Sequence, residues 1–316
     1  WDQDGDDDLL CGNTAGQIAW FENLAGSPPR WAVPRLLQAD GEPIRIQAGT
    51  NGSIQGPAEA KWGYTTLTTA DWDGDGLTDV VLNSIWGRVE WLRRVPGSDP
   101  TAVERPRPVQ VAWEGSDVPK PSWVWWQPQA NDLVTQWRTT PVAIDWDGDG
   151  LCDLVMLDPE GFLCLYRRER IDGRLWLTPG ERIFLTTGAR RFDSTGRPLA
   201  EESRPDGALP LQLNAAARGG SGRRKLHLVD WDLDGHLDLL VNSTNAAWFA
   251  GAAGPNGTWL FEYRGDLSTQ PISGHTTSPT TVDLDRDGRP EALIGGEDGR
   301  LYYLSNDDAN ASSTDR

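Results

Sequence analysis

Five short apolar runs punctuate the chain, each directly behind a cluster of acids: Leu9-Leu10, Val80-Val81-Leu82, Leu154-Val155-Met156, Leu239-Leu240-Val241 and Ala292-Leu293-Ile294. Too short for helices, they predict strands. Behind each, a turn leads to an aromatic segment, as in Gln17-Ile18-Ala19-Trp20-Phe21, Val89-Glu90-Trp91-Leu92, Phe162-Leu163-Cys164-Leu165-Tyr166 and Leu301-Tyr302-Tyr303-Leu304. Turn signals such as Asp158-Pro159-Glu160-Gly161 and Glu297-Asp298-Gly299 separate the two segments, which predicts hairpins. A more variable third strand follows, for example Arg182-Ile183-Phe184-Leu185 or Thr258 to Tyr263, and a Thr-rich strand leads into the next acidic cluster. Long helical periodicity is absent, and 35 Gly with 22 Pro suit a turn-rich all-β chain.

The acidic clusters share one design: Trp1 to Asp8 (WDQDGDDD), Asp71 to Asp79 (DWDGDGLTD), Asp145 to Asp153 (DWDGDGLCD), Asp230 to Asp238 (DWDLDGHLD) and Asp283 to Glu291 (DLDRDGRPE). Carboxylates at loop positions 1, 3, 5 and 9, a Gly at 6 for a sharp turn and a carbonyl at 7 form an oxygen cage for a hard cation of flexible geometry, which points to about five structural Ca²⁺. The expected ligands are Asp2, Asp4, Asp6 and Asp8; Asp71, Asp73, Asp75, Leu77 and Asp79; Asp145, Asp147, Asp149, Leu151 and Asp153; Asp230, Asp232, Asp234, His236 and Asp238; and Asp283, Asp285, Asp287, Arg289 and Glu291. Asp6, Leu77, Leu151, His236 and Arg289 fill position 7 and enter through the backbone carbonyl. The loop is a shortened relative of the EF-hand loop, followed by a strand instead of a helix. A solvated turn is the bland alternative for a single copy; five copies with one spacing leave it little room. The first copy starts at its second position, so its leading Asp is expected upstream of Trp1.

Four short antiparallel strands per repeat describe a propeller blade, so the expected fold is an all-β β-propeller of four-stranded antiparallel blades with calcium loops. The repeat overrides a domain count from length: residues 1–306 are expected to form one domain, with 307–316 as a flexible C-terminal tail. Long stretches near residues 95–135 and 186–222 are expected to be loops, which on a rigid scaffold commonly carry function.

The net charge of −18 changes little in this picture, because the loops alone hold 21 acids, more than the whole negative excess. Five bound Ca²⁺ would bring it to roughly −8, an ordinary value for a protein in solution. No run of about 18 apolar residues exists, so no membrane span is expected. No basic stripe stands out for nucleic acid. The three Cys give neither a disulfide framework nor zinc spacing. A secreted, periplasmic or cell-surface location is expected from the loops, which as weak extracellular-type sites fill at millimolar Ca²⁺. Asn51, Asn242, Asn256 and Asn310 each begin a glycosylation sequon.

The DWDGDGLTDVVL and DWDGDGLCDLVM segments resemble FG-GAP or VCBS repeats, the calcium-loop β-propeller repeats also found in integrin α heads, fungal lectins and rhamnogalacturonan-type polysaccharide lyases. The resemblance covers nearly the whole chain and implies a fold, not an activity. Rings of that family usually have seven or eight blades. Five motif-bearing repeats leave open a closed five-blade ring or a piece of a larger one.

Aligned on the leading loop Asp, the strand entering each repeat carries Tyr64, Arg138, Arg223 and Thr276 seven residues before it, and Gly63, Trp137, Gly222 and His275 eight before. Hydroxyls dominate the next two positions, except for Arg224-Lys225. Pure architecture repeats one residue type at equivalent positions, whereas a shared pocket needs different groups from each repeat. If entering strands are innermost, Lys61, Trp62, Tyr64, Trp137, Arg138, Arg223, Arg224, Lys225 and His275 converge at one mouth of a central channel. Arg and Lys favour a carboxylate and Trp an apolar sugar face, which suits an acidic oligo- or polysaccharide. The plainer alternative has these arginines paired with nearby acids and the tryptophans filling gaps between blades.

The leading expectation is a polysaccharide lyase that cleaves a uronate-containing glycan by β-elimination. Arg138, Arg223 and Arg224 would neutralise the carboxylate, His275 and Tyr64 would serve as base and acid, and Lys61, Trp62, Trp137 and Lys225 would bind substrate. A non-catalytic lectin or adhesion module and a glycoside hydrolase are the alternatives. Most of the 17 Trp have structural readings. Trp1, Trp72, Trp146 and Trp231 at loop position 2 suggest repeat packing, and Trp20, Trp91 and Trp248 suggest core, whereas Trp123, Trp125 and Trp126 sit in a Pro-rich stretch and suit a groove equally well.

Overall fold

Four of the five acidic clusters close a hairpin of constant register. In a computed structural model, the residue just before the loop pairs with the position 9 acid: Ala70 with Asp79, Ile144 with Asp153, Val229 with Asp238 and Val282 with Glu291. The structure describes residues 1–316 except 27–28, 54, 114–117, 120–125, 194, 201–206, 216–222, 275 and 307–316. His275, Trp123, Trp125, Asn310 and the expected tail therefore lie outside the described residues. The chain falls into two compact units, Trp1–Pro159 with Tyr166–Gly180, and Glu160–Leu165 with Glu181–Arg316.

In the first unit, strands Leu9–Gly12, Ile18–Phe21 and Arg35–Leu36 form an antiparallel sheet, and Thr66–Ala70, Asp79–Asn83, Glu90–Leu92 and Arg107–Pro108 form a four-stranded antiparallel meander. Val142–Ile144 and Asp153–Leu157 make the next hairpin. The strands leaving the loops, Asp79–Asn83 and Asp153–Leu157, are buried at every residue. That explains why their apolar runs are continuous where a half-buried strand would alternate. Ile18, Trp20, Leu37, Val80, Leu82 and Leu92 share one core.

In the second unit, Leu226–Val229, Asp238–Asn242, Ala246–Ala253 and Trp259–Asp266 repeat the four-stranded antiparallel pattern. Ser278–Val282, Glu291–Gly295 and Leu301–Leu304 form the last sheet. Its core gathers Trp231, Leu240, Ala246, Leu267, Ala292 and Ile294. One strand departs from expectation. Phe184–Thr186, read from sequence as the third strand of the Asp145 repeat, instead runs parallel to Trp259–Asp266, with Phe184 stacked on Phe261 at 5.8 Å. The ring contact decides the partner, and strand periodicity carries no information about it.

Successive repeats are locked by one recurring contact. Arg94 reaches the neighbouring loop, donates to the Trp1 carbonyl at 2.5 Å and lies 4.2 Å from the Trp1 ring. Arg168 does the same to Trp72, its guanidinium 3.9 Å from the ring and bonded to the carbonyl. In the second unit Asn306 donates to the Trp231 carbonyl at 2.9 Å. At Trp1 and Trp72 the ring at loop position 2 is thus the landing face for a cation from the next repeat. A second lock lies at the other end of the strands. Buried Asn83 donates to the carbonyls of Gln136 and Thr139, and Asn242 donates to Thr276 Oγ1 at 2.7 Å. Asn242 is thereby removed as a glycan acceptor in the folded chain, since its amide nitrogen is buried and bonded.

Replacing Arg168 by Ala removes a buried cation–π contact and a charge-assisted hydrogen bond. The first unit should lose about 2–4 kcal/mol in urea unfolding. Exposed Arg170→Ala on the same strand should change stability by less than about 0.5 kcal/mol.

Candidate functional site

The loops build an oxygen cage from backbone amides outward. In the Asp71 loop, the leading carboxylate accepts the amides of Gly74, Asp75 and Gly76 at 2.9–3.0 Å, and Asp75 accepts the Leu77 amide at 3.0 Å. The Asp145, Asp230 and Asp283 loops repeat the clasp, with their Gly at position 6 donating to the leading Asp at 3.0 Å. Position 7 amides likewise donate to the position 5 acid at 2.8 Å in Leu151, His236 and Arg289. So wound, the carboxylates turn inward. Oxygens of Asp283, Asp285, Asp287 and Glu291 lie within 4.8 Å of one another, as do those of Asp71, Asp73 and Asp79, of Asp145, Asp147 and Asp149, and of Asp230, Asp232 and Asp234. Two oxygens bound to one Ca²⁺ at its usual distance lie at most about 5 Å apart, so the donor sets fit such an ion.

Position 9 has a second task. Asp79, Asp153 and Asp238 are buried and accept an amide from the third strand, those of Arg94, Arg168 and Gly251 at 2.6–2.7 Å. Asp79 also takes Trp91 Nε1 at 3.0 Å, a partner that sequence reading assigned only to the core. Burial raises the pKa of all three, that of Asp238 to about 6. Asp153 and Asp238 stand outside their loops' converging sets and act as staples between loop and sheet. In the first loop, Asp8 accepts the Asn23 amide at 2.7 Å and Asp4 donates to Asp2, but Asp2, Asp4, Asp6 and Asp8 make no set of this closeness among the described residues. A leading Asp, which clasps the other loops, has no counterpart within the sequence.

Positive φ recurs at two loop positions. Gly5, Gly76, Gly150, Gly235 and Gly288 at position 6 all have φ between 85° and 99°. Position 4 is equally left-handed, with Gly74 and Gly148 in two loops but Gln3, Leu233 and Arg286 in the others.

Among the expected substrate groups, the first unit brings Trp62, Tyr64, Trp137 and Arg138 together. The Arg138 guanidinium lies 3.6 Å from the Tyr64 ring and 4.5 Å from that of Trp137, and Trp62 meets Tyr64 edge-on at 5.5 Å. Sequence reading missed the centre of this cluster, Glu59. Buried in the short 3₁₀ turn Pro57–Glu59, it pairs with Arg138 at 3.0 Å, accepts the Tyr64 hydroxyl at 3.4 Å and is bonded by Ser53. No spacing signal marks it. Tyr64, Arg138 and Arg223 share a left-handed backbone, φ 50°, 63° and 50°, which turns the chain into each entering strand.

Two expected roles are corrected. Arg138 is not poised for a substrate carboxylate, because Glu59 already holds it inside the protein. Arg224 is fully buried and donates to the carbonyls of Leu213, Asn242 and Asp193, with burial lowering its pKa to about 10. Arg223 and Lys225 are half-buried in the second unit, and the Lys225 amide donates to Asn242 at 2.9 Å. Lys61 and Trp62 are exposed, Trp62 by 41%.

Residues 217–294 match the family model of an FG-GAP-like repeat. The matched segment holds the whole Asp230 loop, the Asp283 loop and the strands on either side of both, so the FG-GAP repeat coincides with the hairpin module described above. No curated protein matches the chain.

Leu233 is exposed, so Leu233→Gly removes left-handed strain without losing packing and should raise stability by up to about 1 kcal/mol. Gly76→Ala meets no atom within 4 Å, yet should lower it by about 1–2 kcal/mol through φ alone. Chemical denaturation of both variants separates the effects. His227 supplies a pH test. Its ring bonds Thr281 Oγ1 at 2.7 Å and keeps some solvent contact, yet the surrounding protein lowers its pKa to about 4. An unfolded His titrates near 6.5, so between about 6.5 and 4 only the unfolded chain takes the proton and stability falls with pH. In melts across that range, His227→Gln should show a shallower fall than the parent chain.

Proposed function

We propose that this chain is a calcium-loaded FG-GAP-type protein whose sheets serve as β-propeller blades, working outside the cytoplasm as a carbohydrate-binding module. The observation that carries the calcium reading is the four sets of carboxylates drawn within 4.8 Å by backbone amides. Such crowding of like charge is costly without a cation, and an ion at the centre of each set would offset it. In both units, entering strands of neighbouring repeats lie side by side, as Thr66 Oγ1 bonding the Thr139 carbonyl and His227 bonding Thr281 illustrate. That arrangement supports innermost strands around an axis.

The carbohydrate reading rests on Trp62 and Lys61. An exposed indole braced edge-on by Tyr64, beside an exposed ammonium, offers a platform for a sugar face and a partner for a uronate carboxylate. Binding without cleavage is favoured over β-elimination because the guanidiniums of Arg138 and Arg224, which would have to neutralise the uronate, are committed to internal acceptors.

Two measurements test the reading. Chelation with EGTA should lower the melting temperature by about 10 °C or more, with Ca²⁺ but not Mg²⁺ restoring it; an unchanged melt defeats the calcium assignment. Trp62→Ala should weaken binding of polygalacturonate oligosaccharides about tenfold, with absorbance at 235 nm flat throughout. Protein-dependent growth of that absorbance would return the lyase to first place.

A further inference from the structure

The residue just before the amide that staples position 9 differs in charge from loop to loop. Those amides belong to Asn23, Arg94, Arg168 and Gly251, so the preceding residues are Glu22, Arg93, Arg167 and Ala250; at equal spacing the fifth loop has Ser305. Two of these side chains reach back into their own loop. Arg93 donates through Nε to Asp73 Oδ2 and through Nη2 to Asp75 Oδ2, with Nη1 3.5 Å from Glu104. Arg167 reaches its own loop through Nη1, which donates to Asp147 Oδ2 at 2.9 Å.

Arg93 thereby holds two acids of one loop, Asp73 inside the converging set of Asp71, Asp73 and Asp79 and Asp75 beside it. A bidentate guanidinium is a strong, oriented partner for carboxylates. A metal entering the Asp71 loop must take Asp75 from it and then bear a neighbouring positive charge.

We propose that Arg93, and in the next loop Arg167, is a built-in counter-cation that competes with the metal for its own loop, so that each loop held in this way binds calcium more weakly than it would without that side chain. This rests on the calcium reading above. In the unloaded state the same arginine relieves repulsion among the acids. Arg93 therefore stabilises the apo protein and weakens its calcium site, two effects of opposite sign from one side chain.

The test is a Ca²⁺ titration of the full chain against a chromophoric chelator, with melts in EGTA and in Ca²⁺. Arg93→Ala should tighten one class of sites about three- to tenfold, lower the EGTA melt and enlarge the rise on adding Ca²⁺. Arg167→Ala should act in the same direction, and exposed Arg170→Ala should leave the calcium affinities unchanged. Arg93→Gln, which keeps the length and removes the charge, should reproduce the Arg93→Ala result and stands in if the alanine variant fails to fold. Unchanged or weaker calcium binding in folded Arg93→Gln overturns the proposal while leaving the calcium reading intact. A parent chain that binds no Ca²⁺ overturns both.

Discussion

Everything in this fold follows from holding several carboxylates almost in contact. Two unit charges about 4.8 Å apart repel by roughly 1–3 kcal/mol at effective dielectric constants of about 80 to 20, and four of the loops bring three or four together. The chain meets that repulsion before any metal enters. Amides at positions 4 to 6 point at the leading Asp, and amides at position 7 point at the position 5 acid. Aiming so many N–H groups inward in so few residues requires left-handed backbone at positions 4 and 6. Gly at position 6 is thus a condition of the cage.

The same acids tie the loop to the sheet and one repeat to the next. Position 9 ends the loop, starts the buried strand and accepts an amide from the third strand, so the cage cannot open without disturbing the hairpin. One residue serves both junctions: Arg94 and Arg168 give their amides to their own loop's acid and their guanidiniums to the preceding loop's Trp. The loop acids and repeat stacking are in this way coupled through single residues, so a metal held by the loop would bear on the neighbour as well.

How much was legible in the sequence depended on whether the information was local. Hairpin positions, the aromatic strands and the loop acids repeat with fixed spacing, so a single chain displays them several times over. Trp at loop position 2 was readable as packing, but its partner was not, because Arg94 and Arg168 precede no motif and their role exists only across a junction. Glu59 was invisible for the same reason. It occurs once, in a Pro-containing turn, and its importance comes from Arg138 lying 79 positions further along the chain. The parallel partner of Phe184–Thr186 is likewise a tertiary choice that strand periodicity cannot express.

The expectation that failed most usefully concerned variation itself. Six residues before the loop stand Thr65, Thr139, Arg224 and Thr277, and the break at Arg224 suggested chemistry. Thr65 Oγ1 bonds the carbonyls of Asn13 and Gln17, and Thr277 Oγ1 those of Ser243 and Asn245, each at the corner of a regular neighbouring repeat. At Arg224 the neighbouring chain is irregular, and three carbonyls, from Asp193, Leu213 and Asn242, need donors at once. A Thr hydroxyl offers one proton; a guanidinium offers five in a plane. The substitution that resembled a catalytic cation therefore follows from a buried-carbonyl requirement that the other repeats do not face. In a repeat protein a broken pattern marks a changed neighbour before it marks a reaction.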